Sequence, residues 1–321
     1  MVTKQEQRVF ITGSTGCIGK QLANRLLAKG FSVYGLQRKP ADANSGSVID
    51  NKYVAIGNIL DSDALSTALN EIRPTQIYHL AGAIDKDIQE GLINYETNVL
   101  GTIRLLNAVR TTGITPKILI VSSSAVYGAA SRQPIAETSE LLPLTHYAVS
   151  KVAQEMVALQ YHLTYQLPIV RVRNFNVVGP GLAPSLLCSD LARQIALAEK
   201  TGERSIHIGN ILPRRDYTDV RDIVRAYELL MQAGKPGEVY NVCSMKAHSV
   251  QECLETLLTK ARVPVSVIID KSRYRAAEIE IQVGDSTKLS KLTDWKPEIS
   301  FTQSLEDLLN SWRDKLQGDN E

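Results

Sequence analysis

The chain of 321 residues is short of cysteine, of aromatic side chains and of net charge, and each shortage removes a class of function. Its four cysteines, Cys17, Cys188, Cys243 and Cys253, lie far apart and form no CxxC pair, so they spell neither a zinc knuckle nor a dithiol redox centre. They sit in apolar or helical contexts where free thiols pack as small hydrophobes, which predicts a reduced compartment and no bound metal. Lys and Arg number 36 against 34 Asp and Glu, and a net charge of +2 provides no basic stripe for a nucleic acid. No uninterrupted apolar run approaches the ~18 residues that cross a bilayer. The opening MVTKQEQRVFITG has no apolar export segment before its first strand. The expectation is a soluble, cytoplasmic protein with neither a nucleic-acid nor a membrane partner.

What is present is a regular alternation. With 44% hydrophobic residues the chain can bury a large core. From Arg8 to about Arg173, short apolar runs (RVFITG, FSVYGL, YVAIG, QIYHLAG, KILIVSS, PIVRVR) alternate with helical patterns, among them Ile18 to Ala28, Asp61 to Glu71, one ending near Val109 and one starting near Thr145. This alternation predicts an α/β fold: a Rossmann-like, doubly wound parallel sheet with helices on both faces and its ligand at the carboxyl ends of the strands. After Asn176 the pattern loosens into VVGPGLAP, a helix near Leu186 to Lys200 and shorter segments. The reading is residues 1–175 as the sheet unit, with 215–245 returning to it, and residues 176–214 and 246–321 as a smaller C-terminal α/β lobe.

Gly13-Ser-Thr-Gly16-Cys-Ile-Gly19 follows an apolar strand and opens a helix, so its glycines allow a tight turn while the helix N-terminus faces a pyrophosphate. In the first strand–helix unit of such a sheet this predicts a dinucleotide. The second strand ends in Gln37-Arg38-Lys39, where an NAD-selective site offers a carboxylate to the ribose 2′-hydroxyl; Arg38 suits the 2′-phosphate of NADPH, with NADH as a weaker substitute. Tyr147 and Lys151 stand i, i+4 on a helix and share one face. An ammonium there is expected to lower the phenol's pKa and ease proton exchange. The serines of Val121-Ser-Ser-Ser-Ala-Val-Tyr-Gly128 end a strand at the same carboxyl edge.

GSTGCIG, NVLGT (Asn98 to Thr102), SSSAVYG, YAVSK and RNFNVVGPG together resemble the extended short-chain dehydrogenase/reductase family over nearly the whole chain. The resemblance implies that residues 1–175 bind NADP and that the lobe binds a sugar nucleotide. It makes Tyr147 the proton donor or acceptor and Lys151 the holder of the nicotinamide ribose. Ser123, with Ser124 as second choice, would bond the reacting oxygen. It places Gly13, Thr15, Gly16, Cys17, Ile18, Gly19, Asn58, Ile59, Leu80, Ala81, Gly82 and Asn98 along the cofactor, and for Asn98 a structural bridge and a catalytic role stand equally open. The family's Gly-Asp is here Gly57-Asn58, whose amide can still bond adenine.

The segment Ile208-Gly-Asn-Ile-Leu-Pro-Arg-Arg-Asp-Tyr-Thr-Asp-Val-Arg-Asp222 is similar to the GDP-mannose branch of that family, which contains 4,6-dehydratases and GDP-4-keto-6-deoxymannose reductases. By that resemblance Asn176, Arg215 and Arg275 contact the substrate and its diphosphate, with Arg273 able to share the role. Asp216, Asp219 and Asp222 read as structural. Dehydratases of the branch carry a Glu just after the catalytic hydroxyl residue, and here that position is Ala125. An elimination therefore lacks its base, whereas hydride transfer needs only a cofactor, a proton donor and a hydrogen bond to the oxygen. The expected activity is NADPH-dependent reduction of GDP-4-keto-6-deoxy-D-mannose, or a 6-deoxyheptose analogue, to GDP-D-rhamnose or GDP-6-deoxy-D-talose. The alternatives are a nucleotide-sugar 4-epimerase with retained NAD and, last, a non-catalytic dinucleotide sensor. The family also implies a homodimer, with Leu100, Ile103, Val152 and Met156 available for a helical seam.

Overall fold

The computed structural model describes residues 7–37, 54–84, 91–274 and 279–318. In chain order the first half runs β1 (Arg8–Thr12), α1 (Cys17–Ala28), β2 (Ser32–Gln37), β3 (Val54–Ile56), α2 (Ser62–Ile72), β4 (Gln76–His79), α3 (Leu92–Tyr95), α4 (Gly101–Thr111), β5 (Lys117–Ser123), α5 (His146–Tyr165) and β6 (Ile169–Asn174). The second half runs β7 (Asn176–Val178), α6 (Leu187–Thr201), β8 (Ser205–Ile208), β9 (Arg214–Asp219), α7 (Val220–Ala233), β10 (Val239–Val242), β11 (Ala247–Ser249), α8 (Val250–Thr259), β12 (Ser266–Ile269), β13 (Ile281–Gln282), α9 (Thr287–Thr293) and α10 (Phe301–Gly318). Between α3 and α4, residues Glu96–Leu100 form one wide π-helical turn.

Seven strands form one sheet in the order β10-β6-β5-β4-β1-β2-β3, and every pairing in it is parallel. Parallel strands are buried on both faces, which is why β5 and β6 are rich in Val, Ile and Leu. One face packs against α1, α7 and α9 through Leu22, Leu26, Val170, Val172, Tyr227 and Trp295. The other packs against α2, α4 and α5 through Leu65, Leu69, Leu105, Ile118 and Ile120. Leu22 and Leu26 have no exposed surface, and burying each contributes about 1.5–3 kcal/mol. A third core, with Leu191, Ile195, Leu254, Leu257, Leu308 and Trp312, joins α6, α8 and α10 in the lobe.

Residues 246–321 do not all stay in that lobe. Leu289 of α9 and Trp295 pack on the sheet's helix layer, and the Trp295 indole donates to the Asp222 carbonyl at 3.0 Å. The reason is local chemistry: Asp222, buried at the first turn of α7, accepts from the backbone N–H groups of Glu298 and Ile299 at 3.0 and 2.9 Å and draws this stretch back. Asp219 caps α7 by accepting from the Arg221 N–H at 2.8 Å.

The helix bearing Tyr147 and Lys151 is held down from beneath. Glu155 of α5 and Arg173 of β6 form a bidentate ion pair with a shortest contact of 2.7 Å, both almost fully buried. Arg173 also donates to the Tyr127 hydroxyl at 2.9 Å, and Tyr127 donates to Asn241 of β10 at 2.7 Å. Charge, phenol and amide thus tie α5 to two strands through partners that all use their polar atoms.

Candidate active site

At Gly13 and Gly19 the Gly-rich turn leaves no room for a side chain. A Cβ on Gly13, which has φ +72°, would lie 2.7 Å from the Ala81 nitrogen. One on Gly19 would lie 2.2 Å from the Gly13 carbonyl oxygen. These close approaches bring β1, α1 and the end of β4 together. The N-terminus of α1 has no side-chain cap and no acidic residue in its first turn, so its free N–H groups face the cleft, the arrangement that fits a pyrophosphate. The Cys17 thiol donates to the Pro180 carbonyl at 3.4 Å, which lays the loop after β7 beside this turn; burial, then the Asp219 charge, push the thiol up to about 12. Asn58 is exposed and its side chain accepts from the Leu60 N–H at 3.2 Å. Ile59 sinks into the core against Gly101, so only its backbone remains for a ligand. Leu80 and Ala81 hydrogen-bond Thr12 through their backbone N–H groups, at 3.1 and 3.2 Å.

Ser123 and Tyr147 meet at the carboxyl edge. Ser123 hydrogen-bonds the Tyr147 hydroxyl and accepts from the Ala125 N–H at 3.2 Å. Ser124 is turned away: its hydroxyl donates to the Gln282 carbonyl oxygen at 3.3 Å, and the Gln282 amide donates to the Ser124 carbonyl at 3.1 Å. Ser124 is thus engaged by Gln282, whereas the Ser123 hydroxyl stays beside Tyr147. Gln282 pairs with Arg215 in register, so its grip on Ser124 also seats the strand carrying Arg215 at this edge. Asn176 pairs with Tyr217 of the same strand.

Tyr147 differs electrostatically from the expectation. Burial raises its pKa above the ordinary phenol value, and the Ser123 hydrogen bond only partly opposes this. Lys151 does not set it, because the ammonium donates elsewhere: to the Val121 carbonyl at 2.9 Å and to the Gln154 carbonyl oxygen at 2.9 Å. Burial lowers Lys151 to about 8, with the Glu155 charge opposing.

Gln154 opens a chain of hydrogen bonds with one direction. Lysine only donates, so Gln154 Oε1 accepts and its Nε2 donates to the Thr102 hydroxyl at 2.8 Å. Thr102 gives its one proton to the Asn98 carbonyl at 2.7 Å. His79 Nε2, 2.8 Å from Thr102, must therefore donate, leaving Nδ1 to accept from Thr12, 2.7 Å away. Burial, and secondarily the Lys151 charge, depress His79 to about 3, so it stays neutral. The Asn98 side chain bridges, accepting from the Ala83 N–H at 2.9 Å and donating to the Ala83 carbonyl at 3.1 Å and to Ser150 at 2.9 Å. A Cβ on Gly82 would lie 3.1 Å from Asn98 Oδ1 and 3.4 Å from Lys151 Nζ, so this glycine lines the same pocket.

Among the described residues, the side chains hydrogen-bonded to Ser123, Ser124, Tyr147 and Lys151 are hydroxyls and amides, with no carboxylate. Arg273 is engaged by Asp190 at 3.1 Å and Asp270 at 3.5 Å. Arg38 and Arg275 lie outside the described residues. Gln154 escaped the sequence reading, since a Gln at helical spacing carries no signal until the helices are packed.

Fold and site together define an oxidoreductase of the extended short-chain dehydrogenase/reductase class. The GDP-mannose 4,6 dehydratase family model matches residues 10–308, and the chain belongs to that family. It is 33% identical over 316 residues to GDP-6-deoxy-D-mannose reductase of Pseudomonas aeruginosa, covering 97% of this chain and 99% of that one. It is 27% identical over 342 residues to human GDP-mannose 4,6 dehydratase, covering 96% and 92%. A solved structure of the Pseudomonas reductase (RMD) complexed with NADPH superposes with a TM-score of 0.84 at 33% identity, covering 96% and 99%.

Proposed function

We propose that this chain is an NADPH-dependent 4-ketoreductase that converts GDP-4-keto-6-deoxy-D-mannose to GDP-D-rhamnose or GDP-6-deoxy-D-talose. The carrying observation is a catalytic edge furnished with Ser123, Tyr147 and Lys151 but with Ala125 where an elimination would need a carboxylate. The likeness to the Pseudomonas reductase and its NADPH complex supports the reading. The bound cofactor supplies the hydride to C4. Tyr147 gives its proton to the C4 oxygen as negative charge develops there, and the Ser123 hydroxyl donates a second hydrogen bond to the same oxygen. Lys151 keeps one N–H beyond its two protein acceptors for the cofactor ribose. Arg38 holds the 2′-phosphate.

The sheet unit, including α7, β10 and α9, holds the dinucleotide, while the lobe with Asn176, Arg215 and Arg275 holds the GDP-sugar. The enzyme works in the cytoplasm as a homodimer. Leu92, Leu100, Met156 and Leu163 of the α3–α5 face are each more than two-fifths exposed, and pairing with a second copy would cover them. Val152 instead packs partly inward against the core near Tyr127. A monomeric mass by light scattering at micromolar concentration removes the dimer. The function is tested with purified protein, NADPH and freshly made GDP-4-keto-6-deoxymannose, reading C4 of the product by NMR. In parallel, GDP-mannose with NADP⁺ should yield no 4-keto-6-deoxy product. Its formation at an enzymatic rate overturns the reductase assignment.

A further inference from the structure

Asn174 closes β6 directly across from Ser123 of β5. Adjacent strands lie ~4.8 Å apart and alternate residues share a face, so the two side chains leave the sheet edge side by side. Val172 and Val121, two residues earlier in each strand, pack into the core beneath α1 and α7. Asn174 and Ser123 therefore face the side from which α1 presents its N-terminus to a dinucleotide. The Asn174 side chain is only 6% exposed. Its amide N–H donates to the hydroxyl of Tyr227, a fully buried residue of α7. Among the described residues, the Asn174 carbonyl oxygen is buried with no hydrogen-bond partner.

A buried acceptor held by one bond and unsatisfied at its other end is waiting for a donor. A neutral donor satisfies it without burying a further charge, and the donor has to arrive at the edge where hydride is delivered. The 3-carboxamide of nicotinamide meets both demands: the group is attached to the ring carbon adjacent to the one that carries the hydride, and its N–H₂ is a neutral donor. A hydroxyl of the sugar does not, because the reacting oxygen is already claimed by Ser123 and Tyr147.

We propose that Asn174 accepts a hydrogen bond from the nicotinamide carboxamide and thereby fixes which face of the ring meets the substrate, with Tyr227 as the positioning residue that holds the Asn174 amide. This rests on the nicotinamide-cofactor reading of the site.

The test is a binding experiment by titration calorimetry with three ligands: NADPH, its 3-acetylpyridine analogue, which keeps the carbonyl but lacks the N–H donors, and 2′-phospho-ADP-ribose, which has no nicotinamide. The native protein should bind NADPH roughly 10-fold more tightly than the acetyl analogue, the size of one hydrogen bond to a buried acceptor. Asn174→Leu should bring that ratio to about one while leaving 2′-phospho-ADP-ribose within about twofold of wild type, and Asn174→Asp, which retains an acceptor, should keep the preference. Equal affinity of the native protein for NADPH and the analogue overturns the proposal, and it does so even if Asn174→Leu fails to fold. So does a loss in Asn174→Leu shared by 2′-phospho-ADP-ribose, which would mark Asn174 as merely structural. If the native protein binds none of the three, the cofactor reading falls and this inference with it. Binding of 2′-phospho-ADP-ribose with no discrimination at the ring end sinks the Asn174 assignment alone.

Discussion

Gln154 can be perturbed in two opposite directions. It is fully buried on α5 and accepts from Lys151 at 2.9 Å, while burial holds that ammonium at about 8. A hydrogen bond to a charged group contributes ~1.5–3 kcal/mol, and one pKa unit corresponds to ~1.36 kcal/mol. Gln154→Leu removes the acceptor and should therefore bring Lys151 down by roughly 1–2 pH units. Gln154→Glu sets a carboxylate against the same nitrogen and should raise it by about 1–3. In the proposed mechanism the protonated lysine is the form that holds the ribose, so kcat/KM for NADPH should fall on the alkaline side as Lys151 loses its proton. The assay is the pH profile of kcat/KM, which reports the free enzyme, together with NADPH binding by fluorescence across the same range. The alkaline limb should move toward acid in the Leu variant and toward base in the Glu variant. A loss of activity in both variants with the limb in its wild-type place would refute the reasoning, because damage to packing cannot move a titration in opposite directions.

Tyr147→Phe should keep the fold and NADPH binding and lose ~10²–10⁴-fold in kcat, the usual cost of a missing general acid; turnover near wild type in a stopped-flow assay would remove Tyr147 from the chemistry. Glu155→Ala should cost about 3–5 kcal/mol in urea unfolding, because it leaves the Arg173 guanidinium buried without its partner. Lys151, lowered from 10.5 to about 8 on folding, gives the folded protein fewer bound protons than the unfolded chain between those values. Stability should therefore rise as pH climbs from 8 toward 10.5, and Lys151→Met should flatten that rise in denaturation midpoints.

Much of this arrangement can be read from the chain because its determinants are local. Gly13 to Gly19 encode a turn in seven consecutive residues, and Tyr147 with Lys151 encode a helix face by spacing alone. The parallel sheet follows from strand and helix runs in alternation. Ser123 and Ser124 could not be separated that way, because the choice is made by Gln282, which reaches Ser124 from a distant strand. The return of α9 to the sheet depends on Asp222 capturing Glu298 and Ile299, a pairing no window of sequence contains. The expectation that Lys151 would lower the phenol missed the competition from Val121 and Gln154. Spacing places two side chains on one face but does not say whom each one bonds.

The interior chain from Lys151 through Gln154 and Thr102 to the Asn98 carbonyl also bears on where replacement protons come from. Each donor in it points the same way, away from the lysine, and its second member is an amide with no labile proton to hand on. Sending a proton outward would require every link to reverse, and neutral His79 at its flank has its Nε2 proton committed to Thr102. In the proposed mechanism this interior chain therefore anchors Lys151 and relays no proton, so the proton that recharges Tyr147 has to come from the substrate side of the site.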